Sequence, residues 1–98
     1  MNDLDWLLNW YKNQCDGDWE HGNGIKINTL DNPGWYLWVS INETTLQNMP
    51  FKKIKIKRSE EDWIFCNIEE GMFKGYGGIF NLPELLSIFR KWAEDSCA

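Results

Sequence analysis

The apolar period of this chain changes twice, and that constrains its fold more than any other feature. From residue 3 to 15 apolar side chains recur every three or four positions. In several runs between 25 and 76, separated by turns and by a polar stretch from 42 to 50, they recur every second position, and from 82 to 95 the helical spacing returns. Such a chain buries all three stretches if the alternating runs pair as strands and the two helical stripes cover one face of the resulting sheet. The order helix, about five strands in sequential hairpins, helix predicts an α+β fold. Its antiparallel sheet carries an N-terminal and a C-terminal helix packed on it. At 98 residues, a single domain spanning 1–98 is expected.

The local signals are specific. Asn2 or Asp3 can cap the first helix, and Gly17 suits the left-handed position that ends it. Leu4, Leu7, Leu8, Tyr11 and Cys15 share one face, which predicts the core side and leaves Trp6 and Trp10 facing a second surface. Asp31-Asn32-Pro33-Gly34 is a turn between Ile25/Ile27 and the alternating run Trp35, Leu37, Val39, Ile41. In the next hairpin an odd loop, such as 59–61, sets Ile56 opposite Ile64 and Ile54 opposite Cys66. Lys57 then faces Trp63 and Lys55 faces Phe65 on the other side of the sheet. A slip of one residue would place lysines among isoleucines, so this register is the expected one. In the last helix Asn81, Pro83 and Glu84 form the start, and Leu82, Leu85, Leu86, Phe89, Trp92 and Ala93 make the apolar stripe.

Seven tryptophans in so small a chain exceed what one core hides, so some are expected half exposed, where indoles anchor partners. The net charge of −5 repels phosphate and disfavours general nucleic-acid binding, whereas an acidic surface suits a basic protein partner. The cysteines Cys15, Cys66 and Cys97 have no paired spacing, so no disulfide framework is expected. The first residues carry acids where a secretion leader carries bases, and no run is long enough to span a bilayer. A cytoplasmic protein with reduced thiols and no membrane contact is expected. Nothing in the pattern specifies an oligomer.

Cys15-Asp16-Gly17-Asp18-Trp19-Glu20-His21 concentrates the chemistry of the chain: a thiol, three carboxylates, an indole and the single histidine. Zinc ligation by Cys15 and His21 with the nearby acids lacks the second cluster that zinc sites bring. A Cys15 nucleophile with His21 as base would sit at a helix C-terminus among acids, where a thiolate is disfavoured. The simpler reading makes Cys15 a small packing residue, Asp16 and Asp18 turn organisers, and His21 a loop residue. The stripe Lys53, Lys55, Lys57 beside Trp63 and Phe65 has the outline of a single-strand binding platform. A solvated sheet face protected by lysines is the stronger reading.

The run Trp10-Tyr11, Gln14 to His21, Gly24 to Ile27 and Thr29 to Trp35 resembles the immunity protein 53 family of bacterial toxin–immunity systems. Arg58-Ser59, Asp62 to Cys66 and Phe89 to Trp92 extend the resemblance over nearly the whole chain. The resemblance implies a small cytosolic α+β protein that neutralises a toxin encoded beside it by binding, without catalysis or cofactor. Asp16, Asp18, Trp19, Glu20, His21, Asp31 and Trp35 are the expected contact residues for the cognate toxin domain, indoles ringed by carboxylates facing a basic cleft. The alternatives are a thiol- or metal-dependent enzyme centred on Cys15 and His21, and a single-strand binder using Lys53, Lys55 and Lys57.

Overall fold

The computed structural model describes residues 1–96. Helix α1 (Asp3–Gln14) is followed by a one-turn helix α2 (Trp19–Gly22), strands β1 (Ile25–Leu30), β2 (Gly34–Ser40), β3 (Ile54–Lys57), β4 (Trp63–Glu69) and β5 (Met72–Gly77), and helix α3 (Leu82–Ser96). The five strands form one antiparallel sheet in the order β1-β2-β5-β4-β3. The α+β architecture is therefore the expected one. The hairpin β1–β2 and the meander β3–β4–β5 are joined in the middle by the pairing of β2 with β5. The segment between β2 and β3 spans the sheet to reach the far edge. It contributes the fully buried Ile41 and Leu46, and Phe51 packs edge-on against Phe73 and Trp92.

The β3–β4 register is the expected one at every pair: Ile54 with Cys66, Lys55 with Phe65, Ile56 with Ile64, Lys57 with Trp63. Glu70 (φ 53°) and Gly71 (φ 72°) form the two-residue turn between β4 and β5. Two consecutive positive φ values match the right-handed twist of the strands they join.

One sheet face carries Leu37, Val39, Ile64, Cys66 and Phe73, all fully buried, and α3 covers them with Leu85, Phe89 and Ala93. Gly75 of β5 lets α3 lie close, because a Cβ there would come within 3.1 Å of Leu85. Arg58 donates to Asp62 and Glu84 and ties the β3–β4 hairpin to the start of α3 (2.9 and 2.6 Å). The side chain of Asn81, just before α3, bridges the β3–β4 hairpin and the first turn of that helix. It accepts from the Trp63 backbone N–H (3.3 Å) and donates to Asp62 and Glu84 (2.9 and 3.1 Å).

Helix α1 is rotated relative to the sequence expectation. Leu7 is buried, but Leu4, Leu8 and Tyr11 are 49%, 56% and 36% exposed. Trp6 and Trp10 turn inward instead, edge-on to Phe89 at 6.0 and 5.2 Å between ring centroids. Two indoles remove more apolar surface from water than the leucines they displace, and edge-to-face contacts with a phenyl ring add to that. Arg90 of α3 fixes the rotation. It bonds Asp3 (3.2 Å) and the Met1 carbonyl (2.8 Å), with its guanidinium 6.0 Å from the centre of the Trp6 ring.

Gly78 has no room for a side chain, since a Cβ would strike the Glu61 carbonyl, whereas nothing lies within 4 Å of one at Gly24. Gly78→Ala is expected to destabilise the fold by roughly 1–3 kcal/mol, and Gly24→Ala to leave it nearly unchanged. Urea denaturation of the two variants checks the difference.

Candidate functional site

The acid-rich bend folds as a closed knot of backbone hydrogen bonds. Asp16 Oδ1 accepts from the backbone N–H groups of Asp18 and Trp19, each at 2.9 Å. Glu20 reaches back to accept from Asp16 (3.1 Å) and Gly17 (2.9 Å). Gly17, at φ +94°, makes the reversal possible. These bonds favour the charged carboxylates. The N–H groups of Trp19 and Asp18 hold the Asp16 carboxyl below its ordinary value, and Glu20 is lowered by its own backbone N–H, those of Asp16 and Gly17, and His21. The acids thus serve the bend internally, as expected of Asp16. The carboxylate of Asp18 does not cap α2.

Trp19 is a correction. Expected to be half exposed, it is instead a peg, only 3% exposed. Its indole N–H donates to the Asn42 carbonyl at 2.8 Å, and its ring packs edge-on to Trp10 (6.2 Å) and Tyr11 (6.0 Å). The pattern of Asp16 and Glu20 closing around an Asx turn drives this indole inward, and the inward turn of Trp10 gives it a wall. Asp18 and His21 remain exposed on the rim.

Asp31 and Trp35 do not join the bend. The bend meets the start of β1, where the Gly24 N–H donates to Ser40 Oγ (3.0 Å), while Asp31 and Trp35 flank the turn at the other end of the same hairpin. Six residues of strand separate them, roughly 20 Å at ~3.3 Å per residue. Asp31 is exposed, and the half-buried Trp35 is tied by its indole N–H to the Ile79 carbonyl (2.9 Å).

The thiols are placed as packing residues. Cys15 is half-buried at the C-cap of α1, its backbone N–H shared between the Tyr11 and Lys12 carbonyls at 3.2 Å. No hydrogen bond joins it to His21 among the described residues, and no group of three or more His, Cys, Asp or Glu side chains there is arranged to hold a metal. Burial pushes the Cys66 thiol up to about 12, so it keeps its proton at neutral pH. Cys97 lies outside the described residues.

The structure assembles a surface of which the sequence showed only one edge. The sheet face away from the helices is uncovered. Its central row runs Asn28, Tyr36, Tyr76, Phe65, Lys55 across the five strands. Beside it lies Lys26, Trp38, Lys74, Asn67, and on the other side Trp63 with Lys57. Tyr36 leans on Trp38 (5.1 Å) and Phe65 on Tyr76 (6.2 Å). The Lys74 ammonium sits 4.5 Å from the Trp38 ring centre, held by Glu70 at 3.1 Å. Sequence reading had placed Lys53, Lys55, Lys57, Trp63 and Phe65 together. It missed Tyr36, Trp38 and Tyr76, although one signal was present: β2 is aromatic at positions of both parities, Trp35 on one side and Tyr36 and Trp38 about the other.

Two outcomes follow from the bend. Trp19→Ala is expected to cost about 3–5 kcal/mol in chemical denaturation, with Asp18→Ala close to neutral. The lowered Asp16 and Glu20 values mean that the unfolded chain binds protons more readily, so this stabilisation is complete above the ordinary carboxylate values of 3.8 and 4.5 and is lost as pH falls below them. Intrinsic tryptophan fluorescence should hold steady from neutral pH to about 5 and change below, and Glu20→Ala should flatten that acid transition.

The computed description of the immunity protein 53 family matches residues 4–94. No curated protein and no solved structure matches the chain. With all but the extreme termini inside the match, this chain belongs to the immunity protein 53 family.

Proposed function

We propose that this protein neutralises a cognate bacterial toxin by binding it stoichiometrically in the cytoplasm, without catalysis and without a cofactor, as part of a polymorphic toxin system. Family membership supports a toxin-neutralising role. The observation that carries the binding mode is the uncovered sheet face, where Tyr36, Trp38, Trp63, Phe65 and Tyr76 lie half-buried with no layer over them. Large aromatic side chains held rigid by a sheet are the residues that dominate protein interfaces. No helix of the structure is long and apolar enough to cross a membrane.

The acid-rich bend supports a second, smaller contact. Asp18 and His21 would touch the toxin there, while Asp16, Trp19 and Glu20 would hold the bend in shape. Asp31 and Trp35 would belong to a contact at the opposite end of the hairpin. The thiol or metal enzyme finds less support: Cys15 is half-buried without a base bonded to it, and Cys66 is sealed in the core.

Titrating the activity of the toxin encoded beside this gene is expected to reach zero at one equivalent of the protein. Toxin recovered from the complex by denaturation and refolding should regain activity with unchanged mass. Inactivation of many toxin molecules by one copy, or a mass change in the recovered toxin, would refute the non-catalytic reading.

A further inference from the structure

The charge of the uncovered sheet face is opposite to that of the molecule. The chain is −5 overall, yet Lys26, Lys53, Lys55, Lys57 and Lys74, five of its ten basic residues, project from or lean over this face. By register the only acid among the strand residues of the same face is Glu69, at its end. Lys57 and Lys74 are paired with Glu60 (3.3 Å) and Glu70 (3.1 Å). Lys26, Lys53 and Lys55 have no carboxylate partner among the described residues. The first two extend towards the rings of Trp38 and Phe65, at 6.0 and 5.9 Å from their centres. The face therefore has an aromatic centre, unpaired cations at both edges, and in its middle an enclosed Trp38 indole N–H with no hydrogen-bond partner among the described residues.

Resting on the toxin-binding reading above, we propose that this face is the docking surface and that its occupant is an acidic protein surface of the toxin. Its apolar centre covers the row Tyr36, Tyr76, Phe65, and its aspartates and glutamates meet Lys26, Lys53 and Lys55. This reverses the polarity expected from the net charge, which pointed to a basic partner at the acid-rich bend. Charge complementarity acts where surfaces meet, and the local excess here is positive.

Two other occupants fit less well. A second copy docked face to face would set these lysines against one another. A nucleic-acid strand holds to such a face by stacking its bases on open rings. The rings here lean on each other at 49° and 40°, which leaves no open slot for a base to stack into. In size, five strands ~4.8 Å apart and about 20 Å long present roughly 400 Å² in projection. A stable interface buries about 800 Å² per partner. The occupant must therefore reach the rim, where a depression of about 730 Å³ opens between Pro33 and the Lys55–Trp63 side of the β3–β4 hairpin.

The test is calorimetric titration of the toxin domain encoded beside this gene into the wild-type protein, the double variant Lys53→Glu/Lys55→Glu, and Asp18→Lys. Circular dichroism confirms that each variant is folded, as expected for exposed side chains. The double variant should bind about 100-fold more weakly, wild-type affinity should fall with added salt, and Asp18→Lys, at the smaller contact, should weaken binding no more than about tenfold. Wild-type binding that the double variant retains, with or without loss in Asp18→Lys, overturns this inference and leaves the toxin-binding reading standing. Failure of the wild type to bind overturns both. A parallel anisotropy titration with a short oligothymidine separates the remaining occupant: tight binding abolished in Lys53→Glu/Lys55→Glu assigns the face to nucleic acid and overturns the inference.

Discussion

The pairing of β2 with β5 is the contact on which the rest of this structure depends. It joins a two-stranded hairpin, which is marginal on its own, to a three-stranded meander. The register of that one pair decides which residues share a face. With Leu37 opposite Gly75 and Val39 opposite Phe73, the apolar residues at the centre of the sheet fall beneath α3, and Tyr36 meets Tyr76 on the other side. A slip of one residue would exchange the two faces of β2, burying Tyr36 and Trp38 and exposing Leu37 and Val39. Core and candidate interface are thus set by the same hydrogen bonds.

The seven tryptophans show how the chain divides its aromatic surface. Trp19 is wholly enclosed, and Trp6, Trp10 and Trp92 pack around Phe89 and Phe73 with one edge open. Trp92 and Trp35 bind carbonyls of distant segments, Pro50 and Ile79, and so fasten loops to the core. Trp38 and Trp63 are left for the uncovered face. An indole combines a large apolar body with one donor, so the same residue can serve as core, as strap or as contact, according to what stands beside its N–H. The acid-rich bend follows the same economy: carboxylates that look like a surface for a partner are spent on backbone N–H groups that a tight reversal leaves unpaired.

Much of the fold was legible from local pattern. The change of period named the elements, and the β3–β4 register followed from keeping Ile54 and Ile56 opposite Cys66 and Ile64. The bend was legible as an Asx-type reversal, because Asp16 and Gly17 have backbone preferences that need no neighbours. The rotation of α1 was not. Leucines and tryptophans both lie at helical spacing, and only the position of Phe89 and the grip of Arg90 on Asp3 decide which set turns inward. The burial of Trp19 depends on that rotation, and so escaped for the same reason.

The sequence by itself determined the α+β class, the turns, the pairing within the β3–β4 hairpin and the family, since each rests on residues close together in the chain or on a motif read in order. Only the tertiary structure decided the order of the strands, the inward face of α1, the separation of Asp31 and Trp35 from the bend, and the assembly of Tyr36, Trp38, Phe65 and Tyr76 into one surface. These depend on contacts between residues tens of positions apart. Such contacts are chosen by competition for a single core, and the alternation of one strand carries no record of which strand lies beside it.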